Sequence, residues 1–162
     1  FTLNSLKKMI FAHDLKGNIY NPRNKEIKCI VEGKARGNLI GGNLSIICSS
    51  LGTENEIDTR NKILFIEEIG EEPYKVDRML LQLVQAGKIN DCAGIIFGYF
   101  SSCEPSNPNQ SLTISEVIKE LIKPCGKPII AGVACGHSLP SLTLPMGVEV
   151  VIDSKNKNIK II

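Results

Sequence analysis

Short apolar runs alternate with helical patterns along most of the chain. An apolar run of about four or five residues is typical of a strand that is covered on both faces. Strands are predicted at Glu26–Val31, Lys62–Ile69, Ala93–Phe100 and Pro128–Ala134, with a β-hairpin from Val148–Ile152 and Asn158–Ile162. Helices are predicted at Leu44–Leu51, from Pro73 to about Ala86, and from Thr113 through Ile122. This order predicts an α/β domain with a mixed sheet and flanking helices.

Residues that cap helices support these boundaries. Asn43 stands where it can cap the helix that follows it, and Gly52 stands just past the end of that helix. Pro73 suits the first position of a helix. Thr113 and Glu116 form the pattern of a capping box.

The first 25 residues have a different character. Asn4–Ala12 has helical spacing, and Gly17, Asn18, Asn21 and Pro22 are predicted to break the chain after it. We therefore interpret residues 1–25 as the tail of a preceding domain and a linker, and residues 26–162 as the compact domain. The chain begins with Phe rather than Met, so we expect a longer natural protein.

Composition excludes several classes of protein. The chain of 162 residues is 43% hydrophobic and 22% charged, with a net charge of +2 and no basic run, so a nucleic-acid partner is not expected. No apolar run approaches the roughly 18–20 residues of a membrane helix. The six cysteines form no C-x-x-C pair and lie mostly in apolar stretches, which favours reduced thiols in a cytosolic protein.

A glycine-rich segment, Gly33–Asn43, precedes a predicted helix and contains four glycines. Such a segment needs unusual backbone angles or close approach to another backbone. It could imitate a phosphate cradle, but it matches neither nucleotide-binding glycine motif. A tight turn, or a wall against which another domain packs, is the favoured interpretation.

Candidate chemistry lies at two predicted strand ends. Glu67 and Glu68 close one strand, and His137 follows another by three residues. In a parallel arrangement Glu67 and His137 could share one crevice, where the carboxylate would orient the imidazole. The alternative is that each is an ordinary loop or capping residue. His13 is expected at the surface, Cys135 is too close in sequence to His137 to form a dyad with it, and no metal site is predicted.

Three longer strings resemble one family. They are GKARGNLIGGNLS from Gly33, ILFIEEIGEEPYKVDRML from Ile63, and GHSLPSLTLPMG from Gly136. They resemble the C-terminal domain of the LD-carboxypeptidase family of serine peptidases, which also includes microcin C self-immunity proteins. The resemblance implies a swivelling β/β/α fold and a Ser-His-Glu triad with Glu67 and His137 as its glutamate and histidine. Glu68 stands where the family commonly carries Asp.

The serine of the implied triad is absent from this chain. The family's Gly-x-Ser-Asp string belongs to an N-terminal domain, and Ser45 is no substitute because it lies at a helix start. The resemblance implies removal of the terminal D-alanine from murein tetrapeptides during cell-wall recycling in the cytoplasm, by a homodimer that needs no metal or organic cofactor. Two alternatives are a microcin-immunity peptidase acting on peptidyl or aminoacyl nucleotides, and a non-catalytic interaction domain.

Overall fold

A mixed eight-stranded sheet spans the part of the chain that the computed structural model describes, residues 1–13 and 15–162. The strand order is β1-β8-β7-β3-β4-β5-β6-β2, and β3, β4, β5 and β6 run parallel to one another. The strands are β1 Gly17–Ile19, β2 Lys28–Val31, β3 Lys34–Asn43, β4 Ile63–Ile69, β5 Gly94–Ser101, β6 Ile129–Ala131, β7 Glu149–Asp153 and β8 Asn158–Ile161. The predicted mixed α/β class is confirmed.

The helices are α1 Thr2–Phe11, α2 Leu44–Ser50, α3 Pro73–Gln85, α4 Lys88–Asp91 and α5 Ile114–Val117, the last continued by a π-helical turn, Ile118–Ile122, and a 3₁₀ turn, Lys123–Cys125. Of these, α2, α3 and α5 begin at the predicted residues, whereas α4 was not predicted. The side chain of Asn43 accepts a hydrogen bond from the backbone N–H of Ile46 at 3.2 Å, and Thr113 and Glu116 form both bonds of the capping box. These local predictions are confirmed.

The sheet buries apolar side chains on both faces, which explains the continuous apolar run of β4. Leu64 and Ile66 point toward the core under α2, α3 and α5. Ile63 and Phe65 point to the opposite core, which β7 and β8 share. Burying a side chain of this size contributes about 1.5–3 kcal/mol. The two cores hold β4 in the centre of the sheet.

The glycine-rich segment is strand β3, and the prediction of a tight turn there is wrong. Its first half pairs antiparallel with β7 and its second half parallel with β4. Gly41 has φ +125°, and a Cβ atom there would overlap the carbonyl oxygen of Phe65. The predicted close approach between backbones is therefore confirmed, and glycine allows it inside a strand.

The predicted chain break after the first helix contains strand β1. Gly17 pairs with Ile161 and Ile19 with Ile159, so β1 forms an edge of the sheet. The side chain of Asn21 donates to the carbonyl of Gly132 at 2.8 Å and accepts from the N–H of Ala134 at 2.9 Å. These contacts anchor the segment after β1 to the loop that follows β6.

Candidate active site

The carboxyl ends of three adjacent parallel strands, β4, β5 and β6, meet at one edge of the sheet. Glu67 lies near the end of β4. The strand predicted through Ala134 ends earlier, at Ala131, because Gly132 adopts φ +78°. A loop without regular secondary structure then carries His137 back over β5 toward β4. Parallel strand ends of this kind are the usual place for a site in an α/β sheet.

The structure brings Glu67 and His137 into direct contact. The Nδ1 atom of His137 lies 2.8 Å from Oε2 of Glu67. The Glu67 side chain is only 6% exposed, whereas the His137 side chain is 50% exposed. An ionised carboxylate can only accept hydrogen bonds, so with Glu67 as the acceptor this contact requires the proton on Nδ1. In the neutral ring, Nε2 then has the free lone pair that a general base needs.

Gly136 makes this contact sterically possible. Its φ is +132°, a conformation that side chains with L configuration rarely adopt. A Cβ atom there would lie 2.7 Å from Oε2 of Glu67 and 3.3 Å from Cβ of Tyr99. The position next to the histidine therefore has room only for glycine.

Glu68 points to the other face of the sheet, away from His137. It is 2% exposed and accepts hydrogen bonds from the N–H and hydroxyl of Ser45 at 2.8 and 2.6 Å, and from the side-chain amide of Asn43 at 2.8 Å. Burial raises the pKa of Glu68, but these bonds, together with one from the N–H of Ile69 at 2.8 Å, outweigh burial and hold that pKa below its ordinary value.

The contacts of Glu68 test two interpretations of the sequence, the phosphate cradle and the role of Ser45. Its carboxylate occupies the start of α2, where the helix dipole favours a negative charge. The phosphate-cradle interpretation of the glycine-rich segment is therefore wrong. The hydroxyl of Ser45 donates to Glu68, and the sheet separates it from His137, as expected for a serine that is not the nucleophile.

The other candidate groups that the sequence offered take no part in the Glu67–His137 contact. Burial, with the charge of Glu67, raises the pKa of Cys135 to about 11, so its thiol is protonated at neutral pH. All six cysteines are free, and His13 is exposed. Among the residues that the structure describes, no group of three or more His, Cys, Asp or Glu side chains could hold a metal ion. No helix in the same residues is long and apolar enough to cross a bilayer.

Sequence patterns did not identify the residues that support the histidine loop. Tyr99 and Ser101, near the end of β5, bond to Pro140 and Ser138 on that loop. Phe97 of the same strand is 1% exposed and lies in the core under the helices. The alternation of β5 contains no signal that distinguishes these roles.

Comparison with known proteins identifies the family. Residues 36–152 match the model of the LD-carboxypeptidase C-terminal domain. The chain is 46% identical over 128 residues to a probable murein peptide carboxypeptidase of Bacillus subtilis, covering 79% of this chain and 40% of that protein. It is 34% identical over 134 residues to the microcin C7 self-immunity protein MccF of Escherichia coli, covering 80% and 37%.

Solved structures agree with the sequence matches. A structure of MccF in complex with glutamyl sulfamoyl guanosine superposes with a TM-score of 0.86 at 26% identity, over 98% of this chain and 54% of that one. A muramoyltetrapeptide carboxypeptidase from Oxalobacter formigenes superposes with a TM-score of 0.81 at 28% identity, over 99% and 53%. The chain thus spans about half the length of these solved structures and less than half the length of the curated relatives from Bacillus subtilis and Escherichia coli. It belongs to the LD-carboxypeptidase family of serine-type peptidases and contains the family's C-terminal domain.

Proposed function

We propose that this chain is the C-terminal part of a serine LD-carboxypeptidase that removes the terminal D-alanine from murein tetrapeptides. The observation that carries the proposal is the 2.8 Å contact between Glu67 and His137 at the carboxyl edge of the parallel strands. The names of the relatives from Bacillus subtilis and Oxalobacter formigenes support the murein substrate. In this proposal residues 1–25 are the tail of the preceding domain and a linker, which adds β1 to the edge of the sheet, and residues 26–162 are the carboxypeptidase-like domain.

In the proposed mechanism His137 moves the proton and Glu67 orients the ring. Nε2 of His137 takes the proton of a serine hydroxyl as the serine oxygen attacks the amide carbonyl before D-alanine. The imidazolium then gives this proton to the departing amine, which releases D-alanine and leaves an acyl-serine ester. A water molecule, deprotonated by the same nitrogen, hydrolyses the ester and restores the serine.

Glu67 contributes through the tautomer and the charge of the ring. By accepting the Nδ1 proton it keeps Nε2 available as the base, and it stabilises the imidazolium while the proton is held. Its low exposure means that water screens this interaction less than at the surface. Acid-base assistance of this kind typically contributes about 10²–10⁴ in rate.

The nucleophilic serine and the oxyanion-hole donors belong, in this proposal, to the N-terminal domain that precedes Phe1. Catalytic groups of a triad act as a unit, so the base and its carboxylate alone achieve little covalent catalysis. We therefore expect the 162-residue chain by itself to release no D-alanine from murein tetrapeptide.

The decisive experiment measures D-alanine release by the chain extended upstream. Wild type is compared with His137→Ala, and His13→Ala is the matched control because His13 is exposed and lies two residues past the end of α1, outside the pair. We expect His137→Ala to lose at least ~10²-fold in kcat and His13→Ala to keep wild-type activity. Equal activity in all three chains would show that His137 is not the base.

A second candidate is a peptidase of the microcin-immunity type acting on peptidyl or aminoacyl nucleotides. It is favoured by the superposition on MccF in complex with glutamyl sulfamoyl guanosine. The same extended chain should be offered an aminoacyl sulfamoyl nucleoside beside the tetrapeptide. Cleavage of the nucleoside alone would favour this candidate, and cleavage of neither substrate would favour an interaction domain without catalysis.

The remaining expectations concern assembly and location. We propose that the whole protein is a cytoplasmic homodimer, as the family resemblance implies. Light scattering on the extended chain measures the mass in solution directly, and a monomer at micromolar concentration would contradict the proposed dimer.

A further inference from the structure

Strand β5 contains an irregularity beside the Glu67–His137 pair. Ile66 of β4 pairs with Phe97 of β5, but Glu68, two residues on, pairs with Phe100, three residues on. Strand β5 therefore has one extra residue at Gly98–Tyr99, which is a β-bulge. Bulges re-aim side chains and are over-represented next to active sites.

The bulge changes which face the end of β5 presents to the histidine loop. Phe97 packs in the core under the helices, so strict alternation would direct Tyr99 to that same face. Instead Tyr99 packs in the opposite core and Phe100 lies on the helix side. The extra residue thus moves Tyr99, and Ser101 after it, to the face that carries Glu67 and His137.

On that face, two hydroxyl groups bind the part of the loop that follows His137 in the chain. The Ser101 and Ser138 hydroxyl oxygens are 2.6 Å apart. The Tyr99 hydroxyl donates to the carbonyl of Pro140 at 2.8 Å. Before His137 in the chain, the carbonyl of Cys135 accepts a hydrogen bond from the backbone N–H of Tyr99 at 2.8 Å. Tyr99 and Ser101 therefore restrain the loop on both sides of the histidine.

This restraint matters because His137 has little support of its own. Its side chain is half exposed, and the loop around it forms no helix or strand. Among the described residues, Glu67 is the one hydrogen-bond partner that the structure records for the imidazole. The orientation of Nε2 therefore depends on where the loop backbone is held.

We propose that Tyr99 and Ser101 are positioning residues that the β5 bulge brings to the histidine loop, where they fix the orientation of the His137 ring. The catalytic meaning of this inference rests on the proposed function. Its structural content does not, because the tautomer and position of the ring can be measured without substrate.

The first test uses ¹⁵N NMR of the imidazole nitrogens in the 162-residue chain, which needs no activity. His13→Ala assigns the signals, since the chain contains two histidines. In wild type we expect the Nδ1–H tautomer to dominate the neutral ring. In the double variant Tyr99→Phe/Ser101→Ala we expect a mixture of both tautomers, because the loop no longer holds Nδ1 against Glu67.

The second test measures kcat and KM for D-alanine release in the extended chain. Loss of one net hydrogen bond corresponds to roughly a 2- to 12-fold change, so each single variant should lower kcat by about that factor with KM little changed. Ser101→Thr keeps the hydroxyl and should restore kcat. Matched controls are Tyr20→Phe and Ser49→Ala, whose hydroxyls bond to Asn18 and Ile46, away from the loop.

The two tests separate this inference from the proposed function. If the double variant keeps the wild-type tautomer and kcat while its thermal unfolding is unchanged, Tyr99 and Ser101 do not position the ring and the inference is overturned. If Ser101→Thr fails to restore what Ser101→Ala loses, the hydroxyl is not the cause and the inference is again overturned. If the extended wild type releases no D-alanine, the proposed function fails, and the tautomer measurement still decides the positioning role.

Discussion

Replacing Gly136 by alanine tests the geometry of the site with a single methyl group. The new Cβ would lie 2.7 Å from Oε2 of Glu67 and 3.2 Å from its Cβ. Optimal separations between carbon atoms are about 3.5–4.0 Å, so the carboxylate has to move by several tenths of an ångström or more. Glu67 has little free space, since its side chain is 6% exposed. The movement lengthens the 2.8 Å contact with His137.

The cost can be divided into a backbone part and a packing part. A residue other than glycine in such a rarely populated conformation costs about 1–3 kcal/mol. Overpacking a filled site costs typically about 1–3 kcal/mol more. Gly17 provides the matched control, because its φ of +130° is close to the +132° of Gly136 and no atom of the described residues lies within 4 Å of its Cβ position. Gly17→Ala therefore measures the backbone part alone.

Two measurements check this prediction. In urea unfolding followed by circular dichroism, Gly136→Ala should lose about 1–3 kcal/mol more stability than Gly17→Ala. In the extended chain, Gly136→Ala should lose up to about 10²-fold in kcat, the loss that a full 1 Å displacement can cause, while Gly17→Ala should keep its activity. If the two variants match in both stability and kcat, the overlap with Glu67 does not exist and the steric reasoning is refuted.

Three further predictions concern buried side chains. Because the pKa of Glu68 is lowered in the folded chain, its carboxylate stabilises the fold above the ordinary pKa of 4.5, and this stabilisation is lost as the pH falls. The unfolding free energy of wild type should therefore decrease more between about pH 7 and pH 3 than that of Glu68→Gln. An equal decrease in both chains would contradict this prediction. Leu80 is fully buried and Leu81 is 38% exposed, so Leu80→Ala should lose about 2–5 kcal/mol in urea unfolding and Leu81→Ala much less. Burial raises the pKa of Cys48 to about 11 and of Cys92 to about 12, so mass spectrometry should find both unalkylated by iodoacetamide at about pH 8 until the chain is unfolded; rapid labelling of the native chain would show that the burial is wrong.

Local patterns predicted the elements whose causes are local. Asn43 and the Thr113–Glu116 box cap their helices because a capping side chain reaches N–H groups only two or three residues ahead. The apolar run of β4 predicted burial on both faces because no polar position interrupts it. These features need no knowledge of the rest of the chain.

Elements that depend on distant partners were predicted poorly. Strand β1 is short and polar, and it exists because β8 offers an edge to pair with. Strand β3 contains glycines that usually mark turns, but here they allow the backbone of β4 to approach. The bulge in β5 shifts the faces of Tyr99 and Ser101 by one residue, which the letters alone do not reveal.

The α/β class, the family and the candidate pair of Glu67 and His137 could be predicted from the residues alone. The contact between them depends on the tertiary structure, because β5 lies between β4 and β6 and the loop after β6 has to cross it. The fold also directs the neighbouring carboxylate, Glu68, to the start of α2, since successive side chains of a strand point to opposite faces. Residue types set which chemistry is available, whereas contacts between residues 70 positions apart set which atoms meet.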